Sequence, residues 1–301
     1  MADATAALEL LDFQADDELE QELQTNLAQL NHSLEEYEIE QSLSGPGDKN
    51  GAYLIINAGT NDIDAQYWAE MLLRMYTIWG LSRGYQVADV ESSPAEIGIF
   101  STTLEIDGRY ACGYLKSETG IHRLKRKSPF NNITGNNIPG RLHFSRAKVE
   151  ILQMYVQLEI AQQDLELILR NLNQNTNGTK AWAKIVHIPT GISAICGGCR
   201  TQMENKDKAL AVLKSKLFAI MQRQGVLQLA DIQVDRLQTF FQVDRLQTFF
   251  NQPIREYQFA SDSENQDKVL DIRTGIETTA IAEVLDGKID SFLKAGLLLK
   301  N

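Results

Sequence analysis

Six lysines and arginines fall between Arg109 and Lys127 with a single acid, Glu118, and Tyr110, Tyr114 and Phe130 are interleaved with or follow them. Cations beside aromatic rings are the combination with which a single-stranded RNA site neutralises phosphates and stacks bases. The same composition suits a solvated strand face with ordinary core aromatics, so structural context has to decide. A second candidate is Cys196-Gly197-Gly198-Cys199. Two thiols at this spacing can form a redox pair or supply half of a zinc site. No second C-x-x-C exists to complete four ligands, so reduced thiols are expected, with redox or shared-metal use as the alternative. A third candidate is the polar stretch "LNQNTNG" at 172–178, which has no histidine, cysteine or carboxylate. The four histidines (His32, His122, His143, His187) are scattered, and G-x-S-x-G, H-E-x-x-H and a Walker-type phosphate loop are all absent. No cofactor is expected.

The elements that must position these residues are readable from spacing. Leu19, Leu23, Leu27, Leu30, Leu34 and Tyr37 recur every three or four residues and predict an acidic amphipathic helix or hairpin that ends at "SGPGDKNG". "YLIINAG" reads as a strand, and residues 65–82 as a helix with Trp68, Leu72, Met75 and Trp79 inward. "YQVADVES", "IGIFSTTLEI" and "YACGYLK" read as further strands, the last two joined by a hairpin turn at Asp107-Gly108. Cys112 is then expected to be packed in a strand. "AKIVHI" and "ISAIC" meet at Pro189-Thr190-Gly191 before a helix from about 206 to 224. "IREYQF" predicts a strand and "GKIDSFLKAGLL" a closing helix. The exact repeat of "QVDRLQTFF" at 233–241 and 242–250 reads as a recent duplication or a gene-model error in a tolerant surface segment.

At 301 residues and 43% hydrophobic content the chain can bury a substantial core in two or three domains. No apolar run approaches the roughly 20 residues of a membrane helix. Three cysteines favour a reducing compartment. The first 50 residues hold thirteen acids, Lys49 and no arginine, the opposite of a transit peptide. A net charge of −11 weighs against nucleic acid as a sum, but the local basic run matters more than the sum.

The stretch "WAEMLLRMYTIWGLSRGYQVADVESSPAEIGIFSTTLEIDGRYACGYLKSETGIHRLKRKSPF", residues 68–130, resembles the codon-recognition region of bacterial-type class I peptide chain release factors. So do "HIPTGI", "CGGCRTQMENKDKALAVLKSKL" and "IREYQF…RTGIETTAIAEVLDGKIDSF". The resemblance implies a multidomain α+β fold: a shortened acidic helical domain at 1–44, a codon-recognition-like domain at 45–157 completed by 250–301, and at 158–249 the domain that carries the hydrolytic loop. Ser128-Pro129-Phe130 after "GIHRL" matches the type that reads UGA and UAA, and His143 is the counterpart of a codon-reading histidine. The basic run and the resemblance together give an expected RNA-binding set of Arg123, Lys125, Arg126 and Lys127 from the first and Ser128, Pro129, Phe130 and His143 from the second. Asn61-Asp62-Ile63-Asp64-Ala65 stands where the family has a Gly-Gly-Thr-Glu-Ala run.

The family's Gly-Gly-Gln tripeptide does not occur in the sequence. Ungapped counting from "HIPTG" puts Gln174 at the glutamine and Leu172-Asn173 at the glycines. Glycines supply positive φ, which costs an ordinary residue roughly 1–2 kcal/mol, and loss of an oxyanion donor costs on the order of 10²–10³ in rate. The expectation is therefore a protein that is not an enzyme, with Gln174 a relic, similar to the plant plastid relative that binds and stabilises messenger RNA. RNA is its expected partner, messenger or ribosomal, with the ribosome itself a further candidate; no membrane is expected, and the location is plastid by resemblance. The alternative is a working release factor for UGA and UAA.

Overall fold

The computed structural model describes residues 43–130, 142–172, 180–234, 252–260 and 266–299, with scattered positions between 21 and 41. Expectations about Leu19, Leu23, Gln174 and the body of the "QVDRLQTFF" repeat lie outside these residues. The chain divides into two compact units, Met1–Ser44 and Gly45–Asn301. In the first, described positions from 21 to 41 are helical, and Leu27, Leu30, Leu34 and Tyr37 are exposed on them.

The second unit is built on an eight-stranded sheet ordered β11-β10-β9-β4-β5-β1-β3-β2. Its strands are β1 (Ala52–Ala58), β2 (Gln86–Pro94), β3 (Ile99–Asp107), β4 (Gly120–Lys127), β5 (Leu142–Gln153), β9 (Arg255–Gln258), β10 (Lys268–Asp271) and β11 (Glu277–Thr278). One face is covered by α1 (Ile63–Ser82), whose Trp68, Leu72, Met75, Tyr76 and Trp79 are fully buried at helical spacing. They meet the inward side chains of β1 and β3, Leu54, Ile56, Leu104 and Ile106, which are likewise buried. A smaller antiparallel sheet, β6 (Leu165–Leu172), β7 (Lys180–His187) and β8 (Ile192–Cys196), carries α3 (Gln202–Gln224). That helix begins in a capping box of Thr201 and Glu204 and ends at Gly225 with φ 67°, the left-handed exit that glycine takes without steric cost. α3 and the small sheet share one core with Tyr53, Ile55, Leu152 and Met154 of the large sheet. The chain closes with α4 (Ile281–Leu285) and α5 (Asp290–Leu298).

The expected strand at "YACGYLK" is instead the short helix α2 (Ala111–Leu115), and β3 pairs with β1 and β2 rather than forming a hairpin with it. Tyr110 takes φ 64° and reverses the chain, and the backbone N–H groups of Tyr110, Cys112 and Gly113 donate to Lys49, Asn50 and Asp48 carbonyls. These long-range bonds override the local strand preference. Cys112 is buried, but in this helix.

Among the described residues Arg255, on β9, is a fully buried cation. Its guanidinium donates to Glu118 through Nη1 at 2.8 Å and Nη2 at 2.7 Å, and to Asp271 through Nη2 at 3.1 Å, with all three residues fully buried. Burial alone would raise the Glu118 carboxyl, but the adjacent guanidinium outweighs it and holds the group below its ordinary value. Asp271 is held down similarly, against burial, by Arg273 and Arg255. His122, beside Glu118, is pushed down by burial to about 4.

Arg255→Met is expected to cost about 3–5 kcal/mol, because it leaves the buried Glu118 carboxylate without its cation and takes one of the two arginines from Asp271, as read from denaturant unfolding. For Glu118, Asp271 and His122 the folded pKa lies below the unfolded one, so the folded state binds fewer protons and stability falls as pH falls. For His122 the loss runs from about 6.5 down to about 4. His122→Gln should flatten the pH dependence of the urea midpoint in the upper part of that window, above the range in which carboxylates titrate.

Candidate nucleic-acid interface

The end of β4 meets the start of α1. Asp62 caps the helix, its Oδ1 accepting from the Ala65 N–H at 2.8 Å, and Asp64 lies in the first turn, where the helix dipole favours an anion. Asp64 is almost wholly buried and organises its neighbours. Ser128 Oγ donates to Asp64 Oδ2 at 2.6 Å and accepts from the Phe130 N–H at 3.1 Å. Arg126 Nη2 donates to Asp64 Oδ1 at 3.4 Å. The Arg126 guanidinium sits 5.0 Å from the ring centroid of Tyr67 and 6.0 Å from that of Phe130. The two rings meet edge to face at 5.4 Å, a favoured aromatic geometry. Pro129 is exposed and Phe130 half-buried.

His143 enters from β5, with Nε2 at 3.8 Å from Asp62 Oδ1 and 4.0 Å from Asp64 Oδ2. Hydrogen bonding to Asp62, against the opposing effect of burial, raises its pKa. Burial would raise Asp62, but His143, the Thr60 hydroxyl and the Ala65 N–H bring it down to about 2. Asp62, Asp64 and His143 present three ligand-type atoms within 4.8 Å of one another. The Arg126 guanidinium is already paired with Asp64 in this cluster.

The structure therefore brings together Ser128, Phe130, Arg126 and His143, and adds Asp62, Asp64 and Tyr67. The sequence reading noted the two aspartates only as a departure from a family run; the usable signal was an Asp in the capping position before a helix. The structure separates Arg123, Lys125 and Lys127 from this group. Strand alternation turns Arg126 toward α1 and those three to the opposite face, where Arg123 pairs with Glu256 and Lys125 bonds Gln258 at 3.3 Å. Among the thiols, Cys196 is buried and donates to Asn205 Oδ1 at 3.3 Å, while that same oxygen accepts from the Cys199 N–H at 3.0 Å. Burial raises the Cys196 thiol to about 11, which disfavours the thiolate that metal or redox chemistry needs.

Residues 1–149 match the PCRF domain and residues 171–268 the RF-1 domain. Peptide chain release factor 2 of Proteus mirabilis is 34% identical over 99% of this chain and 78% of its own length. The chain belongs to the class I peptide chain release factor family. Chloroplastic peptide chain release factor PrfB1 of Arabidopsis thaliana is 40% identical over 90% of this chain, which spans 57% of that relative's length. RF2 of Thermus thermophilus superposes with a TM-score of 0.75 at 29% identity, covering 99% of this chain and 84% of that one. The α+β release factor architecture is thereby established. No helix among the described residues is long and apolar enough to cross a membrane.

The expectation that this family member is not an enzyme is overturned. Its relatives across nearly the whole chain are named peptide chain release factors, and the RF-1 domain match begins at residue 171 and runs through the stretch regarded as degenerate. The physical argument overstated the loss of two glycines. Asparagine is among the L-residues that enter the left-handed region most readily, and Asn173 stands at one of the two glycine positions.

Asp62→Asn should bring the His143 titration back down toward about 6.5, read from its ring-proton NMR shifts. An unchanged midpoint would show that Asp62 does not hold the proton.

Proposed function

We propose that this chain is a codon-dependent peptide chain release factor acting on the ribosome at UGA and UAA. Ser128-Pro129-Phe130 and His143 are its codon-facing group, and the 173–179 stretch between β6 and β7 is its hydrolytic end. The observation that carries the reading is the Asp64 cluster. Ser128 Oγ, fixed by Asp64 at 2.6 Å and by the Phe130 N–H at 3.1 Å, is a hydroxyl held in one orientation. A pre-oriented hydroxyl distinguishes a donor from an acceptor on a base edge at little entropic cost. Exposed Pro129 and half-buried Phe130 supply an apolar surface beside it, and the His143 ring, whose pKa Asp62 raises, supplies a polar edge for stacking or hydrogen bonding.

The names of the relatives favour release over messenger stabilisation, and the chloroplastic PrfB1 supports a plastid setting. Gln174 is the residue proposed to help orient the attacking water, with backbone N–H groups of its loop as oxyanion donors.

On ribosomes programmed with UGA, UAA or UAG and carrying labelled peptidyl-tRNA, release is expected with the first two codons and not with UAG. Ser128→Ala removes a charge-assisted hydrogen bond of about 1.5–3 kcal/mol and should lower release roughly ten- to a hundredfold. Gln174→Ala should lower release while codon-dependent ribosome binding persists. Release at background with all three codons, with binding retained, would overturn the hydrolytic half of the proposal; equal release at UAG would overturn the codon assignment.

A further inference from the structure

Cys196 closes β8, and Cys199 lies two residues before Thr201, the residue that caps α3. A single buried side chain holds both. Asn205 Oδ1 accepts from the Cys196 thiol at 3.3 Å and from the Cys199 N–H at 3.0 Å, while Asn205 Nδ2 donates to the Ala181 carbonyl at 2.9 Å and to the Cys199 carbonyl at 3.3 Å. The two thiols lie within hydrogen-bonding reach of each other. Cys196 is fully buried, and Cys199 is partly open to solvent. Lys208 of α3, paired with Glu105 at 2.9 Å, is a cation whose charge both thiols feel. One buried and one accessible thiol side by side are the elements of a redox-responsive pair.

The loop between them has little freedom on the side of the large sheet. The Gly197 N–H donates to the Val90 carbonyl at 3.2 Å, and Gly198 packs so closely on β2 that a Cβ would collide with the Asp89 carbonyl oxygen. Movement of the sulfurs is therefore passed to the other side, to Asn205 and through it to Ala181. Ala181 is the second residue of β7, the strand that directly follows the 173–179 stretch.

We propose that Cys196 and Cys199 form a reversible thiol–disulfide switch, oxidised by a low-molecular-weight disulfide, whose closed form weakens the hold of Asn205 on the start of β7. The Cys199 thiolate attacks one sulfur of the external disulfide, forming a mixed disulfide and expelling one thiolate. Cys196 then gives its proton to solvent and attacks Cys199 Sγ, expelling the second thiol. Two protein thiols are oxidised and one external disulfide is reduced to two thiols. Burial raises Cys196 to about 11, which keeps it from attacking first; in the second step its position beside Cys199 compensates for a small thiolate fraction. The disulfide carries no S–H, so Asn205 Oδ1 loses one of its two donors. Any effect on peptide release rests on the function proposed above, but the crosslink does not.

The test equilibrates the full chain with glutathione and glutathione disulfide over a range of ratios, quenches by alkylation and maps peptides without reduction. A 196–199 crosslink that dithiothreitol reverses is expected. Cys196→Ala should stop at a glutathione adduct on Cys199, and Cys199→Ser should leave Cys196 reduced. Hydrogen exchange of the β7 amides should be roughly two- to tenfold faster in the oxidised protein, with no response to the same treatment in Cys199→Ser. Release on programmed ribosomes should fall on oxidation if the 173–179 stretch is the hydrolytic end; the crosslink and the exchange response are expected either way. Both thiols staying reduced across the series, a glutathione adduct on wild-type Cys199 that never resolves, unresponsive β7 exchange, or a bound metal that shields the thiols until a chelator removes it would overturn the proposal.

Discussion

The bidentate pair between Arg255 and Glu118 is the interaction on which the rest of the structure depends. It joins a strand near residue 255 to the turn before β4, 137 positions earlier in the chain. β9 runs parallel to β4 and so needs a distant connection rather than a hairpin. The desolvation cost of an arginine and two carboxylates is large, and the hydrogen bonds of the network offset it although Arg255 Nε itself finds no partner. Tyr76 of α1 donates to Glu118 at 2.9 Å, Arg273 donates to Asp271 at 2.8 Å, and the Phe292 ring of α5 covers the Arg255 guanidinium at 4.3 Å. Three remote segments are thereby committed to one place. Trp68 Nε1 donates to the His122 carbonyl at 3.0 Å, which ties β4 to α1. The Ser128 cluster is the seam between those two elements, so its geometry follows from the buried network.

β4 is one strand serving two surfaces. Its even-numbered side chains from His122 to Arg126 face α1, and its odd-numbered ones from Arg123 to Lys127 face away, which is why a basic run that looks like one patch in the sequence is two. Arg126 is consumed in orienting Asp64 and lies between two aromatic rings; burial lowers its pKa, with Asp64 opposing. On the other face Arg123 pairs with Glu256, Lys125 bonds Gln258 and Lys127 is exposed. Charge counted along a strand overestimates any single face by about a factor of two.

Much of the fold was legible because its signals are local. Trp68, Leu72, Met75 and Trp79 at helical spacing gave α1, alternation gave β1, β3, β7 and β8, and Pro189-Thr190-Gly191 gave the turn between the last two. α2 was not legible, because its cause is three backbone bonds to the 48–50 turn that no window around Tyr110 contains. The candidate site divides the same way. Ser128, Phe130 and His143 were identifiable from the resemblance, yet their organiser, Asp64, sits 64 residues from Ser128 and announces itself only as an acid in a helix's first turn. The face assignment of Arg126 against Arg123 needed only the strand period, and was missed because the run was read as composition.

The two sheets meet through a seam that is apolar in its middle and polar at its margins. Tyr53, Ile55, Leu152 and Met154 pack with Val212, Leu213 and Leu217 of α3, and around them lie the Lys208–Glu105 pair at 2.9 Å, the Arg223–Glu150 pair at 3.4 Å and the Gly197 N–H on the Val90 carbonyl at 3.2 Å. The apolar part sets the strength of the contact, and the marginal ion pairs set its register more than its energy. β7 and β8 are therefore positioned by α3, which is held against β1 and β5, the strands that flank this seam. Glu150 is a point where α3 and β5 meet. It accepts from Arg223 on one side and Lys148 on the other at 1% exposure, with Oε2 lacking a hydrogen-bond partner. A buried carboxylate with one oxygen unsatisfied makes both cations energetically costly to remove, so the limit of the α3-covered face along β5 is fixed by a single residue.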